Sequence, residues 1–329
     1  MYRWTAIFGL IGLAIATAVI IWSGVDQVIV ALGQAGWGIV LVALYHFVPL
    51  LASAAGWEIL IPGKKLKDLP RFTYFMWIRA AVNNLMPVAR IGGEIAAVRL
   101  MTASGIRQSA AIASTVVELT LSMATVFVFV FVGIVLFAVR VSDEGLVSRL
   151  LWGLLLFLPL LGVVALVQRI GLFSLLSRLF RLVFRDKWAN LGIDANRIDR
   201  SVRNVYLRKT RVLICTAFQY AQWTLGAGEV WLALYFLGHP VGLVDAMIIE
   251  ALIQASVSAG FIVPGALGVQ EAGIIVFGGM LGLPHDIAAA LAVIKRCRDI
   301  LVYAPGLVVW QVVEGKNLLG AQKRKPPAP

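Results

Sequence analysis

The run "NNLMPVARIGGEIAAVRL" (residues 83–100) decides how the rest of the chain is read. It sets two amides, a proline, two arginines, a glycine pair and a glutamate inside an otherwise apolar region. Proline lacks the amide hydrogen that a helix needs, and it pushes the preceding residue toward extended backbone. Gly92 and Gly93 weaken the helix further. The region 72–105 therefore reads as two short helices joined at a break, either a crossing pair or a re-entrant hairpin.

The surroundings of that run are those of a membrane protein. The chain has 329 residues, of which 60% are hydrophobic and 14% charged, with a mean hydropathy of +0.89. A soluble globular protein is excluded by that balance. Backbone polar groups in lipid must be satisfied internally, so the choice is helices or a closed barrel. The apolar runs show no period-2 alternation, which excludes the barrel. Cys215 and Cys297 form neither a disulfide framework nor a metal site by their spacing.

Crossing a hydrocarbon core of about 30 Å takes about 20 helical residues. Six clear spans are expected, at 4–23, 37–61, 109–139, 150–168, 211–237 and 286–313. The first follows a single basic residue, Arg3. Its small residues Ala14 to Ala18 lie inside the apolar run, so a retained span is expected rather than a cleaved signal. Two broken regions, 72–105 and 243–283, complete the set. The fold class is an all-α polytopic membrane protein with two broken or re-entrant helical hairpins in an inverted repeat. The expected layout is one membrane domain, with halves 1–168 and 211–315, a basic connection 169–210 and a basic tail 316–329.

Lysine and arginine in the loops set the orientation. Loop 62–71 carries Lys64, Lys65, Lys67 and Arg71, whereas 24–36 carries none. Eleven basic residues fall between Arg169 and Arg211, and the tail adds Lys316, Lys323, Arg324 and Lys325. Both termini and the long connection are thus expected in the cytoplasm. Topology accounts for most of the net charge of +12, so nucleic acid is not an expected partner. Within "GLFSLLSRLFRLVFR" (171–185), Arg178, Arg181 and Arg185 oppose Phe173, Leu176, Phe180 and Val183. That pattern fits an interfacial helix facing anionic headgroups.

The second broken region, "FIVPGALGVQEAG" (261–273), places Pro264 seven residues before Glu271, as Pro87 stands seven before Glu94. Paired Gly/Pro-interrupted apolar segments in two halves point to a transporter's central site. Entered from opposite sides, the two regions would be related by an axis in the membrane plane. Buried charges add to the case, because each costs at least ~2.5–3.5 kcal/mol at the bilayer centre on insertion scales.

The candidate substrate or translocation residues of the first half are Arg79, Asn83, Asn84, Pro87, Arg90, Gly92, Gly93, Glu94, Arg99 and Glu118. Those of the second half are Glu250, Pro264, Gly265, Gly268, Glu271, Arg296 and Arg298. Glu229, Lys295 and Asp299 are further charges within spans. Arg79 and Asn83, four apart, would share a helical face suited to a phosphate headgroup. Glu94 is expected to pair with Arg90 or with an arginine of the last helix. Any one of these charges equally fits a structural salt bridge. There is no GxxxxGK[ST], GxSxG or HExxH, so neither ATP coupling nor hydrolase chemistry is expected. No cofactor is called for, and the chain is not expected to be an enzyme. His46 reads as an interhelical hydrogen-bonding residue rather than a ligand.

"NNLMPVARIGGEIAAVRL" (83–100) and "PGALGVQEAG" (264–273) resemble two signature regions of the lysylphosphatidylglycerol synthase transmembrane-region family, also called the flippase-like domain family. "WIRAAVNNLMPVARIGGE" (77–94) looks most like the branch associated with hopanoid biosynthesis. The resemblance implies a two-repeat membrane domain with re-entrant helices that moves lipids between leaflets of the bacterial inner membrane. It carries over Asn83, Asn84, Pro87, Gly92, Gly93 and Glu94, then Pro264, Gly265, Gly268 and Glu271, with Arg296 or Arg298 resembling a further family arginine. The second motif departs from the first by reading VQE for GGE. In the fused lysyl-lipid synthases a separate soluble domain performs the aminoacyl transfer. The present chain is expected to lack that domain and its activity.

The function expected is a lipid flippase for a phospholipid or hopanoid-type lipid. The alternatives are a non-transporting scaffold for lipid-biosynthesis proteins and an intramembrane lipid-modifying enzyme.

Overall fold

The computed structural model describes residues 25–64, 66–86, 92–140, 144–155, 159, 195–259, 266 and 268–323. The expected first span 4–23, most of 150–168 and the amphipathic stretch 173–185 lie outside the described residues, as do Pro87, Arg90, Pro264 and Gly265.

Among the described residues the structure is helical, without strands. In chain order the helices are α1 (Val25–Ala35), α2 (Gly38–Tyr45), α3 (Phe47–Leu60), α4 (Leu69–Leu85), α5 (Gly92–Ala103), α6 (Gln108–Arg140), α7 (Glu144–Leu155), α8 (Ala195–Leu207), α9 (Lys209–Phe236), α10 (Leu243–Ala259), α11 (Val269–Met280) and α12 (His285–Lys323).

Two of these runs are long and apolar enough to cross a membrane alone. They are Gly38–Leu60 with 23 residues and Gln108–Arg140 with 33. The first is α2 and α3 joined at His46. Pro49 withholds the amide hydrogen that would bond the Tyr45 carbonyl, which explains the interruption there. The expected spans 211–237 and 286–313 are the helices α9 and α12, of 28 and 39 residues. Both are long enough to cross. They carry buried charges that lower their apolarity, with Glu229 on α9 and Lys295, Arg298 and Asp299 on α12.

Three boundaries differ from expectation. The 24–36 connection contains α1, because a loop without lysine or arginine can still hold a helical run. The 140–149 loop is helical from Glu144. The last helix continues to Lys323, through residues expected in the tail.

Both broken regions are pairs of short helices, 17 and 12 residues in the first and 17 and 12 in the second. At 1.5 Å per residue these measure about 25 and 18 Å, each short of a ~30 Å core. Local chemistry sets the first break. Pro70 opens α4, and α4 ends at Met86, whose φ −102° and ψ 143° are the extended backbone that a following proline imposes.

The packing runs across the halves. α3 lies against α9. α4 packs on α3, α5 and α12, and α10 packs on α9, α11 and α6. α5 also touches α6, and α11 touches α12. Trp57, Phe72, Phe75, Ile78 and Met101 form a core in the first half. Val230, Leu234, Ile253, Ile274 and Ile294 form one in the second. Lipid tails are as apolar as these side chains, so dispersion and interhelical hydrogen bonds hold the bundle rather than transfer from water.

α8 turns Ile198, Val202 and Val205 onto Leu60, Ala113, Val117 and Cys215. It leaves Arg197, Arg200 and Arg203 exposed. This cluster puts the end of α3 and the beginnings of α6 and α9 at the same end of the bundle.

Candidate functional site

Most of the buried charged residues of the helices gather into two ion clusters. The first is built on α4. Arg79 is only 6% exposed and lies with its guanidinium carbon 5.2 Å from the centre of the Trp57 ring. Its Nε is 2.7 Å from Glu94 Oε2, on α5. Its Nη1 pairs with Glu118 Oε2, on α6. One guanidinium thus ties three helices together, which a planar donor with several edges can do and an ammonium cannot do in the same way. Asn83 Nδ2 donates to Glu94 Oε1 at 3.2 Å, and the Gly93 amide donates to Asn83 Oδ1 at 2.9 Å. Gln219 on α9 donates to Glu118 Oε1 at 2.9 Å and exchanges hydrogen bonds with Ser53.

The glycine at 93 is a steric requirement. A Cβ there would lie 2.3 Å from the Arg79 carbonyl oxygen and 2.5 Å from Asn83 Oδ1. Only a residue without a side chain lets the start of α5 approach α4 this closely. Glu94 then sits in the first turn of α5, where a carboxylate is favoured by the unpaired amides of the helix start.

The second cluster centres on Glu229 of α9. His46 Nδ1 is 2.7 Å from Glu229 Oε2, and His46 Nε2 is 2.8 Å from the Tyr303 hydroxyl. The tautomer that satisfies both donates from Nδ1 to the carboxylate and accepts from the tyrosine. Arg298 Nη2 and Lys295 Nζ lie 3.0 and 3.5 Å from Glu229 Oε1. Lys295 also donates to Glu250 at 2.8 Å, and Gln254 donates to the other Glu250 oxygen at 2.7 Å. Arg298 pairs with Asp299 at 3.2 Å. Arg296 pairs with Glu271 and lies 3.5 Å from Asp299. Glu271 reaches back to the Gly268 amide at 2.7 Å, closing the first turn of α11. Gly268 takes φ +77°, a conformation that favours glycine.

Several expected residues meet here. Arg79, Asn83, Gly93, Glu94 and Glu118 form the first cluster. Glu250, Gly268, Glu271, Arg296 and Arg298 belong to the second. Glu94 takes Arg79 as its partner, whereas Glu271 takes an arginine of the last helix. The basic surface expected at Arg79 is a closed arrangement in which Nε and Nη1 both face carboxylates. Asn84 donates to its own helix at the Ala80 carbonyl, 2.9 Å away. Gly92 opens α5, and Arg99 is exposed on the same helix.

Sequence reasoning left Gln219, Ser53, Trp57 and Tyr303 out of the site. One signal was available for Gln219. With Gln222, Gly226 and Glu229 it follows a three-four-three spacing, one face of α9, and Gln222 donates to Gln219 at 3.0 Å. His46, read from sequence as an interhelical hydrogen-bonding residue, is one.

No group of three or more potential metal ligands occurs among the described residues. No curated protein and no solved structure matches the chain. The family described as Lysylphosphatidylglycerol synthase TM region matches residues 9–306. A buried ionic interior and long apolar helices fit that assignment, and the chain belongs to this family of transmembrane regions, a membrane protein of lipid-related processes.

Proposed function

We propose that this protein moves a polar-headed lipid, a phospholipid or a hopanoid-type lipid, between the leaflets of the bacterial inner membrane. The observation that carries the reading is the pairing of each broken region with a buried ion cluster. Glu94 and Glu271 both stand in the first turn of a 12-residue helix that follows a break, and each is gripped by one arginine. Interrupted helices leave free backbone groups that lipid cannot satisfy, so they line protein or a polar path. A headgroup would follow that path between the two broken regions while its tails stayed in lipid. The chain itself would perform no bond chemistry.

The pairing of helices supports an inverted repeat. Matching α3 with α9, α4 with α10, α5 with α11 and α6 with α12 maps the α4–α12 contact onto the α10–α6 contact and leaves α3–α9 unchanged. α11 also carries a glycine pressed against its partner helix, at a different register from Gly93: a Cβ at Gly273 would lie 2.4 Å from Ser256 Oγ on α10. With both termini cytoplasmic, the two hairpins would open to opposite sides.

Headgroup-labelled phosphatidylglycerol in proteoliposomes, quenched from outside, tests this. The protein should speed the loss of protected label relative to protein-free liposomes. Arg79→Lys keeps the charge but loses the multi-edge grip, and should slow exchange about tenfold, the equivalent of ~1.4 kcal/mol in barrier height. If the wild-type protein leaves exchange at the protein-free rate, a scaffold for lipid-biosynthesis proteins becomes the better reading. If Arg79→Lys matches wild type, the headgroup passes elsewhere.

A further inference from the structure

Arg79 holds its two carboxylates in different ways. Glu118 is sunk at 2% side-chain exposure and is also hydrogen-bonded by Gln219. The Glu94 side chain is 17% exposed. Its Oε2 is itself buried and lies 2.7 Å from Arg79 Nε. Of the two carboxylates on Arg79, Glu94 is the more exposed and its Oε2 faces only Arg79, so it is the one an entering anion can displace. The described charged groups beside Glu94 are Arg79 from α4 and Glu118 from α6. The exposed Arg99 shares its own helix, and the buried Cys215 thiol on α9 lies near Glu118.

Charge balance then dictates a companion. Arg79, Glu94 and Glu118 together carry one negative charge when both carboxylates are ionised. A phosphodiester at Arg79 Nε would raise that to two in a largely buried site, where an uncompensated charge costs several kcal/mol. If one proton binds the Glu94 carboxylate as the phosphodiester arrives, the sum stays at one. The proton attaches to a Glu94 oxygen, the carboxyl leaves Arg79 Nε, and a phosphate oxygen takes its place. Release of the headgroup returns the proton to water, and Glu94 closes again on Arg79.

We infer that Glu94 is a proton-binding residue, and that one proton enters with each anionic phosphodiester headgroup, so that a proton gradient drives the lipid across. This rests on the lipid-transfer reading above and adds the energy source and the substrate class to it.

The experiment uses the full chain in proteoliposomes holding a trapped pH dye and labelled phosphatidylglycerol, with and without an acidic exterior. The readout is the ratio of inward flipping rates with and without the gradient. Wild type should give a ratio of several-fold, with interior acidification that tracks the lipid moved. Glu94→Gln should give a ratio of about one, and Glu94→Asp, which keeps the titrating group, should recover a ratio above one. A wild-type ratio of one with no interior acidification overturns the coupling and leaves the transport reading standing. A Glu94→Gln protein that still responds to the gradient removes Glu94 as the proton site. A wild-type protein that moves no lipid overturns both readings.

Discussion

Arg79 meets Glu94 through Nε and Glu118 through Nη1, so each carboxylate depends on a different atom of one buried cation. Removing that cation would leave two carboxylates facing each other without compensation. Breaking a buried pair in this way costs about 3–5 kcal/mol. Arg79→Ala should lower the thermal unfolding midpoint markedly in detergent, and adding Glu118→Gln should recover part of the loss by removing one stranded charge. A double variant no better than Arg79→Ala would mean that cavity formation, not charge, sets the cost. Glu94→Gln is the contrasting case, because it leaves Arg79 and Glu118 as a balanced pair. None of these partners was evident from sequence alone. Arg79 and Glu118 are 39 residues apart and Lys295 and Glu250 are 45 apart, so only the helix packing brings them together. What the sequence did show was that charges at these depths require partners.

The elements themselves were more legible where local chemistry decides them. Pro87 predicts the end of α4, and the structure ends it one residue earlier, at extended Met86. The glycine pair predicts where the next helix can begin, and α5 begins at Gly92. Less legible was Pro305, inside the long α12. Trp77 donates to the Val302 carbonyl at 2.7 Å, one residue past the Leu301 carbonyl that Pro305 leaves without its helical donor, and ties α4 to the helix beside its interruption. Such a contact depends on a side chain 225 residues away and leaves no local trace. At the first break, Gly93→Ala would place a methyl group against the backbone of α4. Because the Arg79 carbonyl cannot rotate aside, the two helices must part, at a cost of about 1–3 kcal/mol. Gly153→Ala is the internal control, since nothing lies within 4 Å of its added carbon. Thermal unfolding of the two variants should separate them clearly, with Gly93→Ala lower and Gly153→Ala unchanged or slightly higher. Equal midpoints would show that the α4–α5 contact has room to give.

At the scale of the whole molecule, the positive-inside argument and the packing converge. The basic loop 62–71 follows α3, and the exposed arginines of α8 stand over the same end of the bundle, where Ile198 and Val202 meet Leu60 and Val117. The proposed orientation, read from loop charge, puts that end in the cytoplasm. The connection after the first broken region, at Ser104 and Gly105, leads into α6 at this end. The connection between α9 and α10, at Gly238 and His239, lies a full helix of 28 residues away from it. An inverted repeat requires these two connections to face opposite sides of the membrane, each beside its own broken region. Single cysteines at Ser104 and His239, both exposed, test this directly once Cys215 and Cys297 are replaced. A membrane-impermeant maleimide added to intact spheroplasts should label the His239→Cys protein and spare Ser104→Cys, and inside-out vesicles should reverse the result. Labelling of both from one face would place the two broken regions on the same side, and the two-fold relation inferred from the helix contacts would not hold.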